Sequence, residues 1–312
     1  RRARNAYVLA IGVNQYDEKG LDLSFAEADA HAISGLLASI PGYQVRRATL
    51  TSSTASGAKK PLTAEHVQLA LSLLGGLELD GVDARKTLTA AGHNVSALDQ
   101  ATPDDIVIIS FSGHGYADAT GRFALLASDA SWPDRKQPPD SVVSADDLAG
   151  WLRYVNAGEM TFIIDACHAG ASVETPDFKP GPMGDASLGQ LAYDKSMRIL
   201  AATQANDVAL ENGRLQKGLL PHTLEQALTP DGSAWPADGD GDGIVRLSEW
   251  LSYAVKQLPA VSRDAMSGGG KLKARGMSVV FTSAPTASRR VQEPSLFDYD
   301  SNESPVILRG GK

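Results

Sequence analysis

Two residues of this 312-residue chain have the types and placement for covalent chemistry: its single cysteine and a histidine set between glycines. Cys167 follows an apolar run in Phe162-Ile163-Ile164-Asp165-Ala166-Cys167-His168-Ala169-Gly170, where the chain turns to small residues. His114 has the same setting 53 positions earlier, in Ile106-Val107-Ile108-Ile109-Ser110-Phe111-Ser112-Gly113-His114-Gly115. A thiol attacks an acyl carbon as its thiolate, so it needs a base or a positive neighbour. An imidazole fills both roles, taking the thiol proton and later returning one to a leaving amine. Gly113 and Gly115 allow tight backbone geometry and close approach by a peptide. A lone cysteine is ordinarily a small core hydrophobe. The paired placement favours chemistry instead, because ligands of open α/β sheets gather at the C-terminal ends of the strands. His168 adjoins the thiol, but consecutive side chains diverge, so it reads as structural.

Carboxylates supply two further patterns. Asp238-Gly239-Asp240-Gly241-Asp242-Gly243-Ile244-Val245-Arg246-Leu247-Ser248-Glu249 matches the acidic calcium loop D-x-[DN]-x-[DN]-G-x5-E. Asp238, Asp240, Asp242, the Ile244 carbonyl and Glu249 would then be the metal ligands. Pro230, Gly232 and Pro236 leave no entering helix, so the loop is EF-hand-like with one flanking helix. The competing reading is an Asp-Gly turn that starts a helix; repulsion among the carboxylates without a cation favours Ca2+. Asp29 is the second pattern. It lies within the stripe Phe25, Ala26, Ala30, Ile33 and Leu37, so its carboxylate points inward and needs a partner. That partner is either an internal arginine or a guanidinium brought by a ligand.

The elements that must position these groups follow from periodicity. Apolar runs predict strands at Ala6–Val13, Tyr43–Thr49, Asp105–Ser112, Thr161–Ala166, Met197–Thr203 and Met277–Thr282. Amphipathic stretches predict helices at Ser24–Leu37, Thr63–Leu74, Ala145–Tyr154, Pro221–Leu228 and Leu247–Leu258. Alternating strands and helices, with strands apolar throughout, imply an α/β fold: a mainly parallel six-stranded sheet with helices on both faces. The expected organisation is one domain over 1–285, with an insertion at about 75–103 and the acidic loop at 238–249. A tail over 286–312 packs on that domain or extends from it, using Leu296 and Phe297.

Composition narrows the function. A net charge of −8 and a pI near 5.3 leave no basic stripe for nucleic acid. No apolar stretch is long enough to span a membrane. One cysteine excludes an intramolecular disulfide and fits a reducing, cytoplasmic compartment. The opening Arg1-Arg2-Ala3-Arg4 has no initiator Met, so residues before it are expected.

Phe111-Ser112-Gly113-His114-Gly115 together with Asp165-Ala166-Cys167-His168-Ala169-Gly170 resembles the caspase-like (clan CD) cysteine peptidases. The likeness is closest to the metacaspase and prokaryotic caspase-like branch. It covers residues 6 to about 282, including Tyr7-Val8-Leu9-Ala10-Ile11-Gly12-Val13-Asn14-Gln15-Tyr16. The caspase string Q-A-C-[RQG]-G is not met, since Asp165-Ala166-Cys167-His168-Ala169 stands in its place. The resemblance implies a caspase-like fold and an endopeptidase with Cys167 as nucleophile and His114 as base. It further implies an oxyanion hole from the backbone N–H groups of Gly115 and Cys167. Metacaspase-like relatives carry an acidic pocket for Arg or Lys before the scissile bond, which maps here onto Asp29, Ser112 and Asp165. Asp165 has a plainer reading as a turn cap on its strand. Expected partners are protein or peptide substrates with Arg or Lys at the cleavage site, and the chain itself is expected to be a monomer. The chemistry needs no cofactor, and calcium modulation is a separate expectation. Self-cleavage is expected at exposed basic loops, such as Lys179, Lys195, Arg214 or Lys217. The alternative is a catalytically silent scaffold of the same fold.

Overall fold

The computed structural model describes residues 2–117, 122–132, 139–166, 186–202, 210–212, 215–232, 234–267, 272–274, 291–300 and 303–309. Strand β1 (Asn5–Gly12) leads through α1 (Ala26–Leu36) to β2 (Gln44–Thr51), followed by α2 (Ala64–Gly75), α3 (Ala84–Ala90) and β3 (Ile106–Ser112). An antiparallel sheet of β4 (Gly115–Ala117), β5 (Phe123–Ser131) and β6 (Asp140–Ser144) comes next, then α4 (Ala145–Leu152) and β7 (Glu159–Asp165). Beyond the segment that carries Cys167 lie α5 (Ala186–Asp194), β8 (Arg198–Ala201), β9 (Leu210–Asn212), β10 (Lys217–Gly218) and α6 (Leu219–Ala227). The described chain closes with β11 (Ile244–Arg246), α7 (Leu247–Ser267), β12 (Leu272–Ala274), β13 (Ser295–Asp298) and β14 (Val306–Arg309).

The central sheet has six strands in the order β13-β8-β7-β3-β1-β2. All neighbours pair in parallel except β13, which runs antiparallel to β8. Every residue of β1, β3 and β7 is buried, as expected of mainly apolar strands covered on both faces, and their polar residues, such as Asn5, Glu159 and Asp165, are buried with them. Alternation along β1 divides the core. Tyr7, Leu9 and Ile11 join Leu69 of α2, Leu88 of α3 and Leu148 of α4 on one face. Ala6 and Val8 join Ile33 of α1, Leu224 of α6 and Trp250 of α7 on the other.

The sixth strand is where structure and sequence pattern part. The run Met277–Thr282 lies outside the described residues, and the antiparallel edge strand β13 is built from the tail. Leu296 and Phe297 are half-buried against the two faces of the core, in the manner their apolar character suggests. An ion cluster pins that edge: buried Arg198 pairs with Glu159, Asp298 and Asp300. Burial, then the neighbouring Asp300 carboxyl, pushes the Glu159 pKa up to about 8. Periodicity did not single out α3, α5 or the β4–β6 sheet: α3 and β4 are short, and small or polar residues interrupt α5, β5 and β6. Helix α7 runs on past Pro259 to Ser267 because its buried stripe of Trp250, Leu251, Ala254, Leu258 and Ser262 continues on both sides. Among the described residues no helix is long and apolar enough to cross a membrane.

Candidate active site

The C-terminal edge of the sheet is level. Ser112 at the end of β3 pairs with Gly12 at the end of β1 and with Asp165 at the end of β7. Hydrogen bonds carry the ladder slightly beyond those ends. Val13 N–H donates to Ser112 (3.0 Å), Gly113 N–H to Asp165 (3.3 Å) and Ala202 N–H to Ile164 (2.8 Å), each at the carbonyl. Two positions past these paired ends the chain carries His114 and Cys167. The chain after β7 is described as far as Ala166, so Cys167 and His168 lie outside the described residues.

His114 is only 4% exposed and is held at several points. Its Nε2 lies 2.6 Å from the carbonyl oxygen of Leu21. A carbonyl only accepts, so Nε2 carries the hydrogen and the neutral ring bears its lone pair at Nδ1. The backbone N–H of His114 donates to the Tyr16 hydroxyl at 2.9 Å. The two rings lie 5.0 Å apart, tilted at 53°. On the other side, the His114 carbonyl accepts the Leu126 N–H of β5 at 2.9 Å. Gly113 leaves room for these rings: a Cβ would stand 2.9 Å from Phe111 Cε1 and 3.0 Å from the Tyr16 hydroxyl, so either ring would have to shift. Gly115 opens β4 and pairs with Leu125.

The three pocket residues read from the sequence are all buried. Register sets Ser112 and Asp165 side by side on adjacent strands. Asp29 sits in the first turns of α1, which packs on β1 and β3. Gly12 permits that packing, since a Cβ there would meet the Ala26 carbonyl oxygen at 2.5 Å. The Asp29 side chain is fully buried, and its oxygens accept the Gly218 N–H at 3.1 and 3.0 Å. A backbone donor thus holds this carboxylate, a partner outside the two that its helical position suggested.

In the acidic loop, oxygens of Asp238, Asp240 and Asp242 come within 4.8 Å of one another. The loop also binds itself. Asp238 accepts the N–H groups of Gly241, Asp242 and Gly243, and Glu249 accepts those of Gly239 and Arg246. Arg246 brings its own cation: its guanidinium lies 2.8 Å from Asp242, 3.6 Å from Asp240 and 3.7 Å from Glu249. Its hydrogen bond to Asp242 holds that carboxyl below the usual range. The donor set is hard and anionic, as calcium requires, but Arg246 competes for it. Ile244 and Arg246 belong to β11, which pairs antiparallel with β14 of the tail.

Two of the expected self-cleavage positions are not exposed loops. Lys195, half-buried after α5, donates Nζ to the Val155 carbonyl at 2.6 Å. Lys217 is half-buried in β10 and pairs with Glu225. Local basic composition does not report such tertiary partners. Lys179 and Arg214 lie outside the described residues. Sequence reasoning missed Tyr16, Leu21 and Asp22 as supports of the site. Tyr16 had a weak signal, an aromatic residue soon after a strand end. Leu21 acts through its backbone and had none.

Comparison with known proteins bears on the whole arrangement. A family model described as the caspase domain matches residues 5–234. Among solved structures, caspase-1 from Spodoptera frugiperda is similar, with a TM-score of 0.51 at 11% identity. That alignment covers 99% of this chain and 91% of the insect protein, a likeness of fold. A search of curated proteins found no match. The acidic loop, α7 and the tail strands fall beyond the family match.

Proposed function

The chain belongs to the caspase-domain family, and from that premise we propose that it is a cysteine endopeptidase cleaving after Arg or Lys. The observation that carries the reading is the level register of Ser112 and Asp165, from which His114 and Cys167 follow at equal offsets. The Leu21 carbonyl supports it by leaving the Nδ1 lone pair of neutral His114 as the base. In the proposed reaction, His114 takes the thiol proton and the Cys167 thiolate attacks the scissile carbonyl. The backbone N–H groups of Gly115 and Cys167 would meet the oxyanion. Collapse of the tetrahedral intermediate transfers a proton from His114 to the leaving amine. Water, activated by the same imidazole, then hydrolyses the thioester.

Asp29, Ser112 and Asp165 are assigned to the pocket for the basic side chain. The burial of Asp29 sets a condition on this assignment: the cation must reach a carboxylate now held by Gly218. The reading takes the chain as a monomer in which β13 covers the outer edge of β8. It also gives the acidic loop a Ca2+ ion in competition with Arg246, as a modulator and not as part of the chemistry.

Turnover of Arg-, Lys-, Asp- and Asn-terminated fluorogenic peptides, with and without calcium, tests the proposal. Turnover lost in Cys167→Ala and lowered about 100-fold in Asp29→Asn for the Arg peptide would support it. Preference for Asp would sink the acidic pocket. Absence of cysteine-dependent turnover in every condition would favour the silent scaffold. Calorimetry with CaCl2 on wild type and Asp240→Ala addresses the loop, and equal heats would remove the metal from it.

A further inference from the structure

We infer that Tyr16 is a positioning residue for His114, and that Asp22 and Lys59 hold Tyr16 in that role. The inference rests on the dyad reading above and adds to it the unit that aims the base. Tyr16 is buried, and its hydroxyl oxygen accepts the backbone N–H of His114 at 2.9 Å. A phenylalanine in its place would keep the ring contact and lose the acceptor.

Three polar groups of Tyr16 are engaged. Its hydroxyl meets His114, its N–H donates to Asp22 Oδ1 at 3.0 Å, and its carbonyl accepts Lys59 Nζ at 2.8 Å. The same lysine pairs with Asp17 at 2.6 Å, and Asp17 N–H donates to the Ser128 carbonyl at 2.7 Å. Asp22 follows Leu21 directly, so its bond to Tyr16 closes a turn that fixes two groups at once. One is the hydroxyl on the His114 backbone, and the other is the Leu21 carbonyl on His114 Nε2. Two anchors from one closed loop, one on the peptide and one on the ring, determine where Nδ1 points. Strand β5 completes the frame: Leu126 holds the His114 carbonyl and Ser128 holds the loop at Asp17. Gly113 belongs to the same unit, because a side chain there would collide with the Tyr16 hydroxyl.

A displaced imidazole should fail first as a base, because small errors in the position of a catalytic group cost rate more than binding. Cys167 is the only cysteine, so alkylation by iodoacetamide followed by intact mass reports on that thiol alone. The test records this rate against pH for wild type, His114→Ala, Tyr16→Phe and Lys59→Met, beside kcat and KM on the Arg peptide. Tyr16→Phe should lower kcat about tenfold with KM within about twofold. Its alkylation profile should move toward that of His114→Ala, and Lys59→Met should move it less, in the same direction. A merely structural tyrosine would lower the folded fraction and leave the profile of the folded protein in place. A folded Tyr16→Phe with wild-type profile and kcat overturns the inference. If Tyr16→Phe does not fold, Lys59→Met decides, its side chain being 44% exposed: an unmoved profile overturns the inference and a moved one supports it. Failure of the underlying reading looks different, since His114→Ala would then match wild type, and both would fall together.

Discussion

His114 and His93 are held by the same device and placed for different work. Each is almost fully buried, and each donates Nε2–H to a backbone carbonyl: His114 to Leu21 at 2.6 Å, His93 to Pro61 at 2.8 Å. His93 follows α3 and meets His66 edge-on at 5.3 Å. Among the described residues its Nδ1 has no hydrogen-bond partner. His114 follows a strand end level with the end of the cysteine-bearing strand. Burial and a carbonyl anchor fix a tautomer, and they do so equally well for a packing residue. In the proposed reaction, position beside the cysteine-bearing strand is what makes His114 the base.

The sharpest way to break this comparison is to delete each ring. His114→Ala should lower kcat/KM by roughly 10²–10⁴-fold, the usual contribution of a general base. His93→Ala should instead lower unfolding stability by roughly 2–4 kcal/mol through the cavity and the orphaned Pro61 carbonyl. Its kcat/KM should stay within about twofold of wild type. Peptide turnover and urea unfolding of both variants measure the contrast. Comparable activity losses would erase the distinction.

Acid should read the His93 side of the comparison next. Burial pushes the His93 pKa down to about 4 and lowers that of His66 as well. The unfolded chain takes protons below about 6.5 that the folded chain refuses. The stabilisation from neutral His93 is therefore whole above pH 6.5 and is lost as pH falls toward 4. The shift corresponds to about 3 kcal/mol. Urea unfolding at pH 7, 5.5 and 4.5 should show this slope, flattened in His93→Gln. An identical slope in the variant would move the acid sensitivity elsewhere.

The smallest effect belongs to the cap beneath that pair. His66 and Thr63 exchange hydrogen bonds in a capping box at the start of α2, His66 Nδ1 accepting the Thr63 N–H. Thr63→Ala should cost roughly 1 kcal/mol and leave peptide turnover unchanged. A shift in the pH profile of turnover would mean that the two histidine regions communicate.

Much of the central sheet was legible because apolar runs and helical stripes are local patterns. The burial of Asp29 was legible for the same reason, as a carboxylate within a stripe of Ala26, Ala30 and Ile33. Its partner was not, because the Gly218 N–H lies 189 residues away and any residue but proline could supply it. The Leu21 carbonyl, 93 residues from His114, is equally anonymous in sequence. Arg246 stood in plain view at the ninth position of the acidic loop. Only the folded loop shows its guanidinium among the carboxylates that a metal would claim.

By itself, the amino-acid sequence determined five strands of the central sheet, the main helix faces, the lone thiol, the glycine-framed imidazole and the acidic loop. Side-chain size, polarity and period are properties of short segments, so they persist in any reading of the chain. The tertiary structure decided that β3 and β7 are neighbours ending level, that Tyr16 and Leu21 close around His114, and that the tail supplies the sheet's edge. Those outcomes depend on strand register and on backbone groups common to every residue. Only the packing of distant segments against one another could select them.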